Sequence, residues 1–244
     1  MKFLVKFLLL LSLALCFGFA IKPLTHYKKQ TVLIFSLTKG YHHASIADGI
    51  TAITKLGIEN NFNVDTTTDV KSFTAENLKK YKALVFLSPT GTNIFSDQQK
   101  AALKDYINNG GGFVGIHAAS DVNFEWEWYG KMVGGFFDSH PKIQEAKLNI
   151  VLPKNKIVKG LPQVWSHRDE WYNFKSFNPE VKVLIKVDET SYTGGNMKDE
   201  HPISWYHKFE GGKVFYTALG HTKECYTDLL FLQHLLAGMK WVMN

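Results

Sequence analysis

One histidine of this chain follows a short apolar strand, at a position where α/β enzymes often expose a reactive side chain. The segment GGGFVGIHAASD, residues 110–121, reads as a turn, an apolar strand, and then His117 among small residues. A small-residue corner after a strand is where many α/β enzymes hold a nucleophile. An imidazole can transfer a proton or bind a metal, but it replaces a thiolate poorly in acyl transfer. We therefore predict that His117 is catalytic.

Two further loops place histidines directly after predicted strands. GYHH, residues 40–43, follows the first strand, and GHT, residues 220–222, follows the last one. In open α/β sheets, ligands bind beyond the carboxyl ends of the strands. We expect His221 to be catalytic and at least one of His42 and His43 to face the ligand. The alternative for each is a packed or solvated histidine.

Carboxylates beside aromatic residues favour a carbohydrate ligand. In DEWY, residues 169–172, the carboxylates can accept hydrogen bonds from hydroxyls, and the aromatic faces can pack on C–H surfaces. Glu170 can also act as an acid or base if burial raises its pKa. His140, in GGFFDSHP, precedes a proline that holds its backbone extended. We predict that Glu170 and His140 are catalytic; a solvated turn and a structural loop are the alternatives.

The predicted site also includes side chains that would bind a ligand or a metal. The predicted binding residues are Tyr41, His42, His43, Ser120, Asp121, Trp126 and Trp171. No cofactor is required by the sequence, but three ligands plus water make an open catalytic centre, so a divalent metal such as zinc is a candidate. Its candidate ligands are His43, His117, His140 and His221. The chain has no HExxH motif, so these ligands would come from separate loops.

The elements that must position these residues alternate between strands and helices. TVLIFSL, FNVDTTT, KALVFLSP and GFVGI read as strands, and Ser96 with Gln99 forms a capping box that begins a helix. This alternation predicts an α/β fold with a parallel sheet and helices on both faces. In the second half, AKLNIVLP and VKVLIKVDE read as strands, residues 210–212 as a hairpin turn and GGFFDSHP as a loop. Residues 122–133 and 227–241 read as helices.

Length and composition predict one large domain behind a targeting segment. The chain has 244 residues, 45% of them hydrophobic, and no linker or internal repeat. Residues 1–20 combine two lysines, an apolar run and small residues, so we predict a signal peptide cleaved after Ala20 and a domain over 21–244. The protein would then be periplasmic or secreted, with no stable membrane span after cleavage. A lipid anchor at Cys16 is disfavoured because the bulky Leu15 precedes it.

Charge and cysteine content argue against a nucleic-acid-binding protein and against a disulfide-stabilised domain. The formal net charge is +6, but the basic residues are scattered rather than clustered, so a nucleic-acid partner is not expected. After cleavage only Cys225 remains, which leaves no partner for an intramolecular disulfide. A homo-oligomer is compatible with the sequence.

Several of these segments, in the same order, resemble the ThuA-like (trehalose utilization protein-like) family. They are KGYHHASI, GGGFVGIHAASD, VGGFFDSHP, DEWYNF, HPISWYHKFEGGKVFYTALGHT and the closing leucine-rich helix. The resemblance covers roughly residues 31–244. It implies a flavodoxin-like three-layer sandwich, similar to class I glutamine amidotransferases, with a mostly parallel central sheet. It also implies a role in the breakdown of trehalose and other disaccharides oxidised to 3-keto-sugars.

The amidotransferase relatives hold a cysteine nucleophile at the corner where this chain has His117, so glutamine hydrolysis through a thioester is not expected. Residues and resemblance together predict an exported enzyme that acts on a small carbohydrate, a keto-sugar or a disaccharide derivative. Its four catalytic side chains would move protons next to a carbonyl, as a hydrolase, lyase or isomerase. Two alternatives stay open: a sugar-binding module without turnover, and a metal-dependent hydrolase.

Overall fold

A computed structural model describes residues 29–244; the predicted signal peptide and its cleavage point lie outside this range. The strands are β1 (Gln30–Phe35), β2 (Phe62–Thr67), β3 (Ala83–Leu87), β4 (Gly112–Ile116), β5 (Phe136–Ser139), β6 (Gln144–Ile150), β7 (Val164–Asp169), β8 (Asn173–Lys175), β9 (Lys182–Val187), β10 (Pro202–Phe209) and β11 (Gly212–Thr217). The α-helices are α1 (Ile46–Glu59), α2 (Ala75–Leu78), α3 (Asp97–Asn108), α4 (Glu127–Val133) and α5 (Leu229–Met243). Among these described residues, no helix is both long and apolar enough to cross a bilayer.

A nine-stranded sheet organises the fold, in the order β2-β1-β3-β4-β11-β10-β9-β6-β7. Neighbours from β2 to β11 pair in parallel, and neighbours from β11 to β7 pair antiparallel. Only β10 and β6 therefore run against the common direction of the sheet. A small second sheet pairs β5 with β8. The predicted α/β fold with a mostly parallel central sheet is confirmed.

Helices cover both faces of the parallel strands. In β4, the Phe113 ring packs edge-on against Tyr129 of α4, with the ring centroids 6.2 Å apart. The preceding Gly112 faces α5, because a Cβ there would lie 2.8 Å from the Val242 carbonyl oxygen. Successive residues of a strand point to opposite faces, so α4 and α5 lie on opposite sides. Every residue of β3 and β4 is buried, as expected for strands covered twice.

The antiparallel part of the sheet curls towards the end of the parallel part. β7 stands four places from β11 in the strand order, which would separate them by about 19 Å in a flat sheet. Yet the Asp169 carboxylate, at the end of β7, accepts a 2.7 Å hydrogen bond from the Gly220 N–H, just beyond β11. The curl thus brings the residue after β7, Glu170, to the loops at the carboxyl ends of β4 and β11.

The first half of the chain matches the predicted elements more closely than the second half. The capping box at Ser96 and Gln99 is present, and the hairpin turns between β10 and β11 as predicted. GGFFDSHP, predicted to be a loop, contains β5; its glycines and proline suggested a loop, but the two phenylalanines between them are extended. β7 and β8 were not predicted, since charged and polar residues interrupt both strands. The helix predicted over 122–133 begins only at Glu127.

Candidate active site

His117 adopts a left-handed backbone conformation directly after β4. Its φ is 49°, a region that residues other than glycine rarely adopt. The Tyr216 hydroxyl donates a 2.7 Å hydrogen bond to the His117 carbonyl, and the Ser120 hydroxyl lies 2.9 Å from that of Tyr216. Buried hydrogen bonds therefore hold the corner in an unfavourable conformation, an arrangement that clusters at functional sites.

One contact sets which nitrogen of the buried His117 ring carries hydrogen. Nδ1 lies 2.8 Å from the Ala218 carbonyl oxygen, which can only accept a hydrogen bond, so Nδ1 is the donor. In the neutral ring, the lone pair is then on Nε2. That atom lies 3.1 Å from Nδ1 of His221 and 3.4 Å from Oε2 of Glu170. His117 thus presents a basic nitrogen to two other predicted catalytic side chains.

The Glu170 carboxylate lies at the centre of this group. Its Oε2 is 3.1 Å from His221 Nδ1, and its Oε1 is 3.0 Å from His140 Nδ1. Burial acts to raise the pKa of Glu170, but the adjacent His117 and His221 rings outweigh burial and hold this pKa below its usual value. Glu170 is therefore a buried anion, and the condition for its acting as an acid, a raised pKa, is not met.

The same carboxylate favours a positive charge on His221. Burial acts to lower the pKa of His221, but the hydrogen bond and the charge of Glu170 outweigh it, so the pKa is raised. The two atoms responsible for the raised pKa, His221 Nδ1 and Glu170 Oε2, lie 3.1 Å apart.

His43 completes the cluster with a ring that has no hydrogen-bond partner at Nδ1. This nitrogen is buried, and the ring stands edge-on to His117 and His221, with centroid distances of 4.8 and 5.2 Å. Burial, helped by the charges of the neighbouring histidines, lowers the pKa of His43 to about 2, so the ring is neutral. Its loop is joined to that of His221 because the Ser45 hydroxyl donates to the Gly220 carbonyl at 3.0 Å.

His140 stands at the open side of the cluster, with 42% of its side chain exposed. Its Nδ1 is 3.0 Å from Glu170 Oε1 and 2.9 Å from the Pro141 carbonyl oxygen, both of which accept hydrogen bonds. Nδ1 is therefore the donor, and the lone pair of the neutral ring is on Nε2. An imidazole oriented by a carboxylate in this way is suited to accept a proton from a ligand.

A cleft of about 440 Å³ opens beside these residues, a size typical of small-molecule sites. It is lined by Tyr41, His43, Asp121, Phe137, His140, Glu170, Tyr172 and His221, among others. Burial raises the pKa of Asp121 to about 6, against the opposing charge of His117. This carboxyl can therefore hold a proton at mildly acidic pH.

Two aromatic residues of the cleft, Phe137 and Tyr172, were not among the predicted site residues. The Tyr172 ring centroid lies 4.2 Å from that of His117 and 4.3 Å from that of Phe137. The alternation of an extended chain was the available signal: Glu170 and Tyr172 share one side, and Trp171 takes the other. Trp171 is fully buried, and its Nε1 donates to the Gln144 carbonyl at 3.0 Å.

The structure therefore brings most of the predicted residues together, but not all. Besides Trp171, three predicted binding residues do not line the cleft. His42 is exposed, with Nδ1 3.0 Å from the Thr38 hydroxyl. Ser120 is buried in the hydrogen bonds behind His117, and Trp126 stacks on Trp128 with the ring centroids 5.1 Å apart.

Asp169, next to Glu170 in sequence, fixes the loop that carries His221. Its carboxylate accepts hydrogen bonds from the Gly220 and Thr222 N–H groups, at 2.7 and 3.2 Å, on either side of His221. The Cys225 thiol also donates to it at 3.2 Å. Burial, helped by the negative charge of Asp169, raises the pKa of this thiol well above its usual value, so Cys225 stays protonated.

We predict that Asp169→Asn lowers the free energy of unfolding by about 1–3 kcal/mol, because the new amide turns a donor towards buried N–H groups. Urea unfolding monitored by tryptophan fluorescence measures this loss. The matched control is Asp199→Asn on the exposed surface, for which we expect a change within about 0.5 kcal/mol. Equal stabilities for the two variants would contradict the role given to Asp169.

Comparisons with known proteins agree with this fold. The model of the ThuA family, described as trehalose utilisation, matches residues 31–242. A ThuA-like protein from Bacteroides uniformis shares 26% identity with a TM-score of 0.76, covering 91% of this chain and 95% of that one. A ThuA-like protein from Parabacteroides merdae shares 19% identity with a TM-score of 0.73, covering 89% and 91%.

A more distant likeness concerns part of a larger protein. A β-galactosidase from Bacillus circulans shares 15% identity with a TM-score of 0.58, covering 88% of this chain but 31% of its own length, and this likeness shows the fold alone. The search of curated proteins gives no match. Since the family model spans nearly all described residues and supports a general carbohydrate-related role, the chain belongs to the ThuA family of trehalose utilisation.

Proposed function

We propose that this protein is an exported enzyme of carbohydrate breakdown that moves protons next to the carbonyl group of a keto-sugar, such as an oxidised disaccharide. The observation that carries this proposal is the pairing of His140 with Glu170. A carboxylate-oriented imidazole beside an aromatic and acidic cleft is equipped to remove a proton from carbon. The membership in a trehalose utilisation family supports the substrate class.

The proposed reaction starts with proton transfer from the carbon adjacent to the carbonyl to Nε2 of His140. The C–H electron pair moves into an enolate, whose negative oxygen is stabilised by positive charge on His221, the histidine of the cleft whose pKa is raised. If a glycosidic oxygen is attached one carbon further on, the enolate expels it, and that oxygen takes a proton from Asp121. If the enolate is instead protonated on a different carbon, the sugar is isomerised.

The aromatic side chains of the cleft suit the apolar faces of a sugar ring. Tyr41 is 64% exposed at the rim, and Phe137 and Tyr172 lie beside His140, with ring centroids 5.8 and 6.1 Å from its own. Aromatic faces pack against the C–H surfaces of sugars, while the carboxylates accept hydrogen bonds from their hydroxyls. Export rests on the leader-like residues 1–20, which would place the enzyme in the periplasm or outside the cell.

The direct experiment incubates the protein with 3-keto-glycosides and with their parent sugars in D₂O and follows products by NMR. We expect turnover of the keto forms alone, with deuterium exchange at the carbon next to the carbonyl. His140→Gln should lower kcat by about 10²–10⁴-fold, the usual contribution of a general base, while substrate binding is retained. His42→Gln, which removes a histidine outside the cleft, should leave kcat unchanged.

Each other outcome of this experiment has a defined meaning. Sugars that bind without ever being turned over would replace the enzyme by a sugar-binding module. Turnover that is equally fast in His140→Gln would refute the role of His140. If no sugar of the panel is bound and none is turned over, the carbohydrate assignment is refuted.

A second prediction concerns pH. Because Asp121 must be protonated to donate, and burial raises its pKa to about 6, kcat for glycosidic elimination should fall as pH rises through about 6. Asp121→Asn should lower kcat and remove this alkaline limb of the profile. A limb near pH 6 that survives in Asp121→Asn would contradict the role of this carboxyl.

A further inference from the structure

We infer that His43, His117, Glu170 and His221 form a binding site for one divalent transition-metal ion. The inference goes beyond the proposed function, since it depends on the arrangement of ligand atoms and not on which sugar enters the cleft. Each residue offers one nitrogen or oxygen, and these four atoms all lie within 4.8 Å of one another.

Three of the four atoms already have the spacing that a metal requires. The edges of the triangle formed by His117 Nε2, His221 Nδ1 and Glu170 Oε2 are 3.1, 3.1 and 3.4 Å long. A tetrahedral zinc ion with bonds of ~2.0–2.1 Å holds its ligands about 3.3–3.4 Å apart. An ion above the triangle would therefore need only small movements of the three side chains.

The triangle is also rich in acceptors. When the His117 ring is neutral, a lone pair on Nε2 points at the negatively charged Glu170 Oε2, and the two atoms are 3.4 Å apart. Among the three atoms of the triangle, only His221 Nδ1 then carries a hydrogen that can be donated to the other two. A positive charge between them, from a further proton or a metal ion, removes this repulsion.

His43 distinguishes the metal from the proton. Its Nδ1 is buried without a hydrogen-bond partner, although buried polar atoms are nearly always satisfied. An extra proton on His117 would not satisfy this nitrogen, whereas an ion among the three rings could take it as a fourth ligand. An imidazole binds a metal through a nitrogen that carries no hydrogen, and the unpartnered His43 Nδ1 is available for this.

The surroundings of the triangle resemble those of known metal ligands. A ligating histidine commonly donates its other N–H to a carbonyl or a carboxylate, which orients the ring. His117 does this through the 2.8 Å bond to Ala218, which leaves Nε2 for the ion. The other carboxylate oxygen of Glu170, Oε1, is not part of the triangle and is oriented by His140 Nδ1 at 3.0 Å.

The donor set selects the kind of ion. Three imidazoles and one carboxylate suit zinc and its first-row neighbours, whereas magnesium and calcium prefer oxygen ligands. Because four protein ligands complete a tetrahedral site, a substrate carbonyl oxygen entering from the cleft would have to bind as a fifth ligand for such an ion to act as a Lewis acid.

Titration of untagged, chelator-treated protein with zinc chloride in a calorimeter tests the inference. We expect one ion per chain, and an affinity that falls by about 100-fold in His43→Gln and in His221→Gln, at least as much as the loss of an outer-shell partner. His42→Gln changes the adjacent, exposed histidine and should leave the affinity unchanged. Cobalt chloride should give the intense visible absorption of tetrahedral Co²⁺, and in Glu170→Gln, which lacks the carboxylate ligand, this absorption should shift in wavelength and require a higher cobalt concentration.

A second group of potential ligands, His167, Asp169 and Cys225, provides the opposing outcome. Zinc binding that is lost in Cys225→Ser but kept in His221→Gln would move the ion there and overturn the inference, as would the absence of binding in folded wild-type protein. Metal binding without keto-sugar turnover would refute the proposed function alone. Turnover of keto-sugars by wild-type protein that binds no zinc would refute the metal site alone.

Discussion

The Glu170 carboxylate is the interaction on which the candidate site depends. Its two oxygens contact three histidines that come from three separate loops, at distances between 3.0 and 3.4 Å. A buried anion is costly unless it is paired, and here the pairing is what draws the loops together. Because the residue follows β7, the curl of the antiparallel strands is what allows this contact.

The fold supports this arrangement with local restraints that have no role in binding. Tyr216 holds the strained backbone of His117, and Asp169 holds the peptide groups on both sides of His221. These contacts are buried and hydrogen-bonded, so each is costly to disrupt. The imidazoles are consequently placed by rigid neighbours, as preorganised catalytic and metal-binding groups require.

Much of this could be predicted from the sequence, and the exceptions have physical causes. The parallel strands carry continuous apolar runs, so the sheet and the loops holding His43, His117 and His221 followed from periodicity and from the rule on strand ends. The position of Glu170 beside these histidines could not be predicted in this way, because it depends on the curl of antiparallel strands such as β7, which is polar and lacks a continuous apolar run. Trp126 and Trp171 looked like sugar-binding residues by composition alone, yet their rings complete the core around the site.

Anomalous X-ray diffraction at the zinc absorption edge, from crystals grown with zinc, tests the central claim most directly, because it locates the side chains and the ion together. The account predicts one strong peak about 2.0–2.1 Å from His117 Nε2, His221 Nδ1 and Glu170 Oε2, with the His43 ring turned towards it. Side chains that point apart, or zinc bound elsewhere with no peak between these three atoms, would contradict it.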